Sequence, residues 1–478
     1  MITKMPNLCG QMVTGERGGK YHLTEVKGQG AQGVVYAEQT GKYMIKLYFP
    51  SDKADHDREL IKKLRFVMEV EKPKNFVVLY ELITTPYIGY VMERLEGYTS
   101  LNAFLLPDPK VPFSDWYNSD RGFRQRIIIG YIIAKAFGEI ADRNLSYCDI
   151  SGNNIFVKLS KSGPIVKMID IDNLYIPGRG NSSVLGTPRY IAPEIIRGDH
   201  TPDVLSDNYS LAVLLFELLR VGHPYINDDV LEGTPEDEER AYSGEGDYVT
   251  EANSTNMLPE KAAFTDKLSE LFTRCFVDGK KNRLSRPSPR EFEFALMEAS
   301  NKIIRCPHCG AWHYARKDQS KKKYLCPWCE EESKPRAWLN FYECLYSGSS
   351  VWDMSQRFSL KLKNSYILRD SDHNKVKNYY LIDIGGSNDG MIESEDFLSF
   401  PQGKDGQYYV YNEFEKAGVW LLRKKVAKKV RILPNKYELL EAGDEIYFLD
   451  DAGDGTNLHV GDKKYMYARM ARFVEDKQ

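Results

Sequence analysis

The sequence lacks the features that would place it in a membrane or outside a cell. Its most apolar stretches, 127–137 and 211–219, fall well short of the roughly 20 residues that a membrane helix needs. The N-terminus contains no apolar run typical of a signal peptide. The net charge of -3 gives no reason to expect a membrane or nucleic-acid partner. These absences favour a cytoplasmic globular protein.

Cysteine is also scarce, and its distribution argues against a disulfide framework. Only 8 of the 478 residues are cysteine, and half of these stand in two CxxC pairs. Paired cysteines in so long a chain are typical of a metal site in a reducing compartment. The sequence shows no internal repeat and no low-complexity tract, and its length is sufficient for about three domains.

The pattern of apolar residues divides the chain into four segments. Residues 1–93 are predicted to form mostly strands, because they are rich in β-branched and aromatic residues. Helical periodicity dominates residues 94–302. Residues 303–340 contain the cysteine pairs, and residues 341–478 return to strand-like runs. The sequence therefore predicts an α+β fold with a small sheet-rich lobe, a larger helical lobe and two further domains.

Within the helical lobe, apolar spacing predicts four long helices. They cover residues 123–143, 207–220, 261–275 and 288–303. The stretch 227–247 is acidic and rich in Gly, Pro and Ser, so it is predicted to be a solvated loop.

A glycine-rich segment near the N-terminus, GQGAQGVVYA, is the first candidate for binding a ligand. Because glycine has no Cβ, a hairpin of this composition can close over phosphate groups. On these residues alone, an ordinary glycine-rich hairpin is at least as good an interpretation. The residues of interest are Gly28, Gly30, Gly33 and Val35.

Lys46 lies in the next predicted strand, YMIKLY, where its ammonium can reach the phosphates of a nucleotide. Such a lysine needs an anionic partner, and a carboxylate on the following predicted helix, 55–70, can provide one. We expect Glu59 to be that partner because it lies early in the helix. Glu69, near the helix end, is the alternative.

Later motifs complete an ordered set that resembles the eukaryotic-type (Hanks-type) Ser/Thr protein kinases of the bacterial kind. YCDISGNN, KMIDIDN and GTPRYIAPE follow the glycine-rich loop and the strand lysine in that family's order. The resemblance implies that Asp149 is the catalytic base and that Asn154 and Asp170 hold Mg2+. It also implies a bilobal kinase fold that binds ATP and a protein substrate.

The same resemblance assigns several supporting residues. Met92 would gate the adenine pocket, and Glu93 and Leu95 would offer backbone hydrogen bonds to the base. The glutamate of GTPRYIAPE would pair with a late arginine, which makes Glu194 and Arg286 partners. The aspartate that begins the helix 207–220, Asp207, would brace the catalytic loop.

The catalytic segment also departs from the family pattern. Tyr147 and Cys148 replace the His and Arg of HRD, and Ser151 replaces the lysine that steadies the transferring phosphate. Activation is therefore not expected to need an arginine bound to a phosphorylated residue.

The DFG motif is altered as well. Ile171 and Asp172 replace its Phe and Gly, and Asp172 is a possible second carboxylate near the metal. In the segment that follows, we hypothesise autophosphorylation at Ser182 or Ser183.

Two CxxC knuckles, CPHCG and CPWCE, follow the helical lobe. Four thiolates at this spacing can enclose a tetrahedral Zn2+ ion, as in zinc ribbons. An iron–sulfur cluster or a redox dithiol is the alternative chemistry. His308 and His313 are expected to be surface residues because four cysteines suffice. The predicted zinc ligands are Cys306, Cys309, Cys326 and Cys329.

The C-terminal segment resembles a forkhead-associated β-sandwich. The resemblance rests on IGGSNDGMI, residues 384–392, and on Gly443 and Asp444 in the turn before a late strand. Gly386 stands where that family places a phosphopeptide-binding arginine, so phosphopeptide recognition does not follow from the resemblance. We expect this segment to bind a partner protein.

The sequence as a whole predicts a bilobal protein-kinase fold, then a zinc ribbon, then a C-terminal β-sandwich. The expected function is transfer of the γ-phosphoryl group of ATP to Ser or Thr hydroxyls of proteins. A nucleotide-binding pseudokinase scaffold is the alternative, because the catalytic loop lacks the usual His, Arg and Lys. A small-molecule kinase is disfavoured by GTPRYIAPE, which serves protein substrates in the family.

Overall fold

A computed structural model describes most of the chain, and the chain divides into two compact units, Met1–Met297 and Glu298–Gln478. Each unit has its own hydrophobic core. The described residues are 5–51, 55–160, 163–177, 186–368, 375–377, 396–413, 418–449, 453, 455–460 and 463–476.

The first unit begins with a closed antiparallel barrel in the strand order β1-β2-β3-β4-β6-β5. Helix α1, His56–Glu69, packs its buried Leu64 and Val67 toward this barrel. Leu64 shares a buried cluster with Tyr48 and Tyr90, so the helix is held against the strands that carry the candidate lysine. The strands are β1 (Met12–Gly15), β2 (Lys20–Gln29), β3 (Gly33–Glu38), β4 (Tyr43–Tyr48), β5 (Leu79–Thr85) and β6 (Gly89–Glu93).

The rest of the first unit is mainly helical, with a small antiparallel sheet of β7 (Thr99–Ser100), β8 (Ile155–Ser160) and β9 (Gly163–Met168). Two long helices, α4 and α6, pack against each other at its centre. The helices are α2 (Asn102–Leu105), α3 (Phe113–Asn118), α4 (Phe123–Asp142), α5 (Pro193–Ile196), α6 (Val204–Arg220), α7 (Asp228–Glu232), α8 (Pro235–Tyr242), α9 (Glu260–Ala263), α10 (Asp266–Thr273), α11 (Gly279–Lys281) and α12 (Pro289–Asn301).

Two sequence predictions in this region were wrong. The acidic stretch 227–247 is not a simple loop, since it contains α7 and α8, whose first turns are capped by the side chains of Asn227 and Thr234. The predicted single helix 261–275 is interrupted after α9, and Thr265 begins α10 by accepting a hydrogen bond from the Leu268 amide. Side-chain capping outweighed the overall composition at both places.

The second unit is rich in strands, as the sequence predicted. A short hairpin, β10 (Ile303–Arg305) with β11 (Trp312–Tyr314), precedes two larger sheets. Side chains from both of these sheets form one buried cluster that includes Phe341, Leu398 and Phe473. The larger sheet holds β12 (Ala337–Tyr346), β13 (Arg357–Leu368), β17 (Gly418–Arg423), β18 (Lys428–Ile432), β20 (Glu445–Leu449), β21 (Thr456–Val460) and β22 (Lys463–Glu475). The smaller sheet holds β14 (Lys375–Lys377), β15 (Asp396–Ser399), β16 (Tyr409–Asn412) and β19 (Tyr437–Leu439).

Some sequence predictions fall outside the described residues. These are Ser182 and Ser183, the segment 384–392 and Gly386 within it. Gly443 and Asp444 are described, and Gly443 has a left-handed φ of 91° in the turn before β20. Among the described helices, none combines the length and the apolar character needed to cross a membrane.

Candidate active site

The glycine-rich segment forms the hairpin between β2 and β3. A Cβ on Gly33 would lie 2.1 Å from the Leu47 carbonyl oxygen, so this glycine is required by close strand packing. A Cβ on Gly28 or Gly30 would meet nothing within 4 Å, which leaves open space over the hairpin. Val35 pairs with Gly28 on one side and with Lys46 on the other, so the hairpin lies next to the candidate lysine.

Lys46 is buried, with 7% of its surface exposed, and its ammonium contacts two carboxylates. The Nζ atom donates to Asp170 Oδ1 at 3.0 Å and to Asp172 Oδ2 at 2.9 Å. Burial lowers the pKa of the Lys46 ammonium, but the charges of Asp172 and Asp170 outweigh burial and raise it. The lysine is therefore held as a cation inside the site.

The two carboxylates differ in their surroundings. The side chain of Asp170 is 31% exposed, whereas that of Asp172 is 3% exposed. Asp172 also accepts hydrogen bonds from the hydroxyls of Tyr48 and Tyr90. Burial raises the pKa of Asp172, but Lys46 and these donors lower it overall, whereas the pKa of Asp170 is raised by burial and by Asp172. Asp170 thus keeps an accessible carboxylate, and Asp172 does not.

The loop after α4 carries Asp149, whose two carboxylate oxygens both accept hydrogen bonds. Asn154 Nδ2 donates to Asp149 Oδ2 at 2.7 Å, and Thr187 Oγ1 donates to Asp149 Oδ1 at 2.7 Å. The Ile169 amide donates to the Asn154 carbonyl at 2.9 Å, which ties Asn154 to the strand end that precedes Asp170. The three residues predicted for catalysis and metal binding therefore lie on connected segments.

Buried groups at the start of α6 and in the loop itself fix its backbone. Asp207 accepts hydrogen bonds from the Ser146 hydroxyl at 2.9 Å and from the amides of Tyr147 at 2.6 Å and Cys148 at 3.0 Å. Tyr147, where the family has histidine, donates its hydroxyl to the Ile169 carbonyl. This tyrosine joins the catalytic loop to the segment that carries Asp170, even though the usual histidine is absent.

The predicted pair of Glu194 and Arg286 forms in the structure. Arg286 Nη1 and Nη2 donate to Glu194 Oε1 and Oε2, each at 2.7 Å, and both residues are buried. This bidentate geometry lowers the pKa of Glu194 despite burial. Glu194 belongs to the same sequence segment, GTPRYIAPE, that contributes Thr187 to Asp149.

The residues predicted for the adenine pocket lie at the end of β6. Met92 is buried and pairs across the sheet with Met44 of β4. Glu93 ends the strand, and its carboxylate accepts a 2.9 Å hydrogen bond from Lys167. Leu95 follows in the connection to the helical part and is half-buried.

The expected contact between Lys46 and Glu59 does not form. Glu59 Oε1 pairs instead with Lys62 at 2.7 Å, and the Glu59 side chain is 67% exposed. The helix turns this residue toward solvent, because its buried stripe runs through Leu64 and Val67. The choice of Glu59 from its position early in the helix did not take the phase of the helix into account.

The sequence analysis assigned no catalytic role to Thr187. For Asp172 it considered only a role as a second carboxylate near the metal. The position of Thr187 in GTPRYIAPE was available as a signal, because the family resemblance already assigned this segment to the protein substrate. No local signal identified Asp172 as the partner of Lys46, since 126 residues separate the two.

The four predicted zinc ligands lie together in the second unit. Their Sγ atoms all lie within 4.8 Å of one another, and Cys306 to Cys329 and Cys309 to Cys326 are each 3.7 Å apart. Tetrahedral Zn–S bonds of about 2.3 Å give sulfur–sulfur separations of about 3.8 Å, whereas a disulfide is about 2.05 Å long. The donor set therefore fits a four-coordinate metal ion.

The two histidines near the cysteines differ. His308 is exposed, as expected, but the prediction of a surface position for His313 was wrong. His313 is fully buried, and its ring nitrogens lie 2.8 Å from the Ser333 hydroxyl and 2.8 Å from the Tyr314 carbonyl. Both nitrogens are thereby occupied, so neither is available to a metal ion.

Comparison with known proteins agrees with this geometry. A profile of the protein kinase domain matches residues 21–295, more than half of the chain. A serine/threonine-protein kinase of Caenorhabditis briggsae, dkf-2, is 28% identical over 215 residues, which are 43% of this chain and 17% of that protein. A probable serine/threonine-protein kinase of Clostridium perfringens is 24% identical over 283 residues, 56% of this chain and 39% of that protein.

A bacterial relative from Chlamydia felis, the serine/threonine-protein kinase PknD, is 26% identical over 239 residues. The match covers 44% of this chain and 25% of that protein. The chain thus spans well under half the length of each of these relatives. The match to the protein kinase profile, residues 21–295, lies within the first unit.

Proposed function

The chain belongs to the protein kinase family, and on that premise we propose that it is an ATP-dependent Ser/Thr protein kinase. The observation that carries the proposal is the paired hydrogen bonding of Asp149 by Asn154 and Thr187. Both bonds orient the carboxylate while leaving it able to accept a proton from a substrate hydroxyl. The relatives named as Ser/Thr kinases support the choice of substrate hydroxyl.

The oxygen donors near Asp149 fit Mg2+. The Asn154 amide nitrogen is engaged by Asp149, so its amide oxygen remains as the donor for a metal, and Asp170 keeps an exposed carboxylate. Mg2+ prefers such oxygen ligands together with phosphate oxygens. When bound, the ion would neutralise charge that develops on the transferred phosphoryl group.

The remaining residues are proposed to position the nucleotide. Gly28 and Gly30 leave open space over the hairpin for phosphates, and Lys46 supplies a buried cation on the strand beside the hairpin. Met92 would line the adenine pocket, and the backbone of Glu93 and Leu95 would bind the base. The proposed reaction is in-line transfer to a hydroxyl held at Asp149.

A pseudokinase scaffold is the second candidate, and Ser151 is the observation that favours it. This residue stands where the family has a phosphate-steadying lysine, and its hydroxyl is fully buried without a hydrogen-bond partner among the described residues. The loop therefore lacks one cation that commonly stabilises transition-state charge.

Phosphate transfer from γ-labelled ATP with Mg2+ separates the two candidates. Wild-type protein should label itself or a generic protein substrate, and Asp149→Ala and Asp170→Ala should lose the signal. Absence of label in the wild type under varied divalent metals supports the scaffold. Equal label in the variants would reveal a contaminating kinase.

We also propose that the four cysteines hold a structural Zn2+ ion in a zinc ribbon. Four sulfur ligands leave no open coordination position, which suits a structural role. Metal analysis of protein purified without added zinc should find one Zn2+ per chain, and Cys326→Ser should lose it. Cys344→Ser is the matched control, because Cys344 is buried away from the cluster. Iron with sulfide in the wild type would contradict the assignment.

For the remainder of the second unit we propose a β-sandwich, forkhead-associated-like, that binds a partner protein. The shared core of its two sheets supports the sandwich, and the buried Asp444 supports the predicted turn by accepting a 2.7 Å bond from Arg423. We propose a cytoplasmic location from the reduced, metal-binding use of cysteine. A pull-down that compares the full chain with a chain lacking the β-rich unit tests whether this unit binds a partner protein.

A further inference from the structure

Asp172 occupies a position that ordinarily carries glycine, yet it has one of the most enclosed carboxylates in the first unit. It is 2% exposed, and both of its oxygens lie within 3.1 Å of the Lys46 ammonium. Tyr48 and Tyr90 donate to the same carboxylate. Among the described residues, the side-chain hydrogen bonds to the Asp172 carboxylate therefore come from β4 and β6.

Helix α1 offers no carboxylate at this place. Glu59 is in an exposed pair with Lys62, and Lys63 is the half-buried charged residue of the helix. Helix α1 packs against the turn Ile171–Asn173, and Lys63 lies within electrostatic range of Asp172 and Lys46. Where kinases pair the strand lysine with a helix glutamate, this chain has a second lysine.

We propose that Asp172 is the positioning residue for Lys46 and replaces the helix glutamate of other kinases. The proposal rests on the proposed kinase function for its catalytic consequence, but the contact between the two residues does not. A carboxylate two residues after Asp170 in the sequence, instead of one on a separate helix, holds the lysine without requiring α1 to move inward. Lys46 would then be positioned whenever the Ile171–Asn173 turn is in place.

The difference in exposure separates this role from metal binding. Asp170 is ten times more exposed than Asp172 at the side chain, 31% against 3%. Both oxygens of Asp172 are occupied by an ammonium and two hydroxyls, so neither is available to a metal ion. Asp170 can shift to Mg2+ while Asp172 keeps Lys46 paired.

The first test compares Asp172→Asn with Glu59→Gln in the full chain. Asp172→Asn keeps the size of the side chain and should lower kcat/KM by about 100-fold, with a raised KM for ATP, because Lys46 loses its anchor. Glu59→Gln should stay within about 2-fold of the wild type. Equal losses in the two variants, or no loss in either, would overturn the proposal. So would a loss in Asp172→Asn that raised Mg2+ fully restores, since that is the behaviour of a metal ligand.

The second test rebuilds the arrangement found in other kinases. Lys63→Glu with Asp172→Gly places a carboxylate on α1 and glycine in the turn. The double variant should be at least about 10-fold more active than Asp172→Gly alone, because Lys46 regains an anionic partner. If the activity losses of Lys63→Glu and Asp172→Gly simply added in the double variant, a carboxylate on α1 could not replace Asp172, and the proposal would be contradicted.

The third test needs no catalysis and therefore separates this proposal from the kinase function. An acylating N-hydroxysuccinimide ester modifies neutral amines, so the labelling rate of Lys46 relative to Lys167 reports how firmly the ammonium is held. Asp172→Asn should raise that ratio by about 10-fold at pH 8, because the buried amine then keeps only one of its two close anions, Asp170, and its neutral form becomes more favourable. If wild-type protein transfers no phosphate but this ratio rises, only the kinase function fails. An unchanged ratio rejects Asp172 as the partner of Lys46.

Discussion

Two buried ionic clusters in the first unit use their charges differently. Arg286 meets one carboxylate, that of Glu194, in a bidentate pair, and it also donates to the Leu205 and Gly279 carbonyls. The ammonium of Lys46 meets two carboxylates and no backbone acceptor among the described residues.

The comparison distinguishes a structural pair from a functional one. In the pair of Arg286 and Glu194, all strong contacts are mutually satisfied, so the arrangement has no capacity left for a ligand. The Lys46 cluster has one carboxylate more than its cation requires, and the surplus one, Asp170, is the accessible one. An excess of negative charge beside open space is suited to a metal ion and phosphates.

The largest effect on stability is expected from breaking the structural pair. Arg286→Ala leaves the buried Glu194 carboxylate without its close partner, and we expect a loss of about 3–5 kcal/mol in the free energy of unfolding. Arg283, 3.8 Å from Glu194, cannot replace it fully because Asp203 already binds it. Urea unfolding followed by circular dichroism measures the change.

The matched control is Arg240→Ala, which removes an exposed pair with Glu245. Its cost should be less than about 1 kcal/mol. If the two arginine variants proved equally stable, the assignment of Glu194 and Arg286 as a structural pair would be wrong.

In contrast to Arg286→Ala, Lys46→Met should mainly affect phosphate transfer. We expect phosphate transfer to fall by at least about 100-fold, because the buried cation beside the phosphate space is lost. Steady-state kinetics with labelled ATP measures the fall, and Lys62→Met on the exposed side of α1 is the control. If Lys46→Met retained its activity, the interpretation of the Lys46 cluster as a functional site would be wrong.

A smaller effect is expected at Thr187, which orients Asp149. Thr187→Ala removes the 2.7 Å hydrogen bond and should lower kcat by about 10-fold with little change in KM for ATP. Thr187→Ser keeps the hydroxyl and should retain most of the activity. A loss as large in Thr187→Ser as in Thr187→Ala would indicate that the methyl group, not the hydrogen bond, matters.

The smallest effect concerns pH. The pKa of Glu194 lies below its ordinary value of 4.5, since Arg286 stabilises the ionised form. This pair therefore stabilises the fold above pH 4.5, and the contribution is lost as the pH falls below 4.5 toward the lowered pKa. Wild-type protein should lose more stability than Glu194→Gln between pH 6 and pH 3, measured by unfolding at each pH. Parallel curves would contradict the pairing.

The parts of the site that sequence predicted are those set by short or motif-defined spacings. Asp149 and Asn154 are five residues apart, and their hydrogen bond closes within one loop. The strands β4 and β20 lie in predicted strand-like runs, because short runs rich in β-branched and aromatic residues favour strands directly. The pair of Glu194 and Arg286 followed from the family resemblance.

The parts that sequence missed depend on distant contacts and on helix phase. Asp172 reaches Lys46 across 126 residues, and a buried aspartate within an apolar segment has no periodic signature. Glu59 and Lys63 are four residues apart and lie on nearly the same side of α1, so the packing around each turn, and not the sequence spacing, makes Lys63 half-buried and Glu59 exposed. His313 was also missed, because its partner Ser333 is 20 residues away in the sequence.

The most direct test of the account is a single-turnover measurement with wild-type protein and Asp149→Asn, using ATP labelled at the γ position and, separately, at the α position. We predict that wild-type protein transfers the γ label to Ser or Thr, that the α label is not transferred, and that Asp149→Asn is slower by at least about 100-fold. No γ transfer by the wild type, with MgATP bound, would contradict the kinase assignment and leave a nucleotide-binding scaffold.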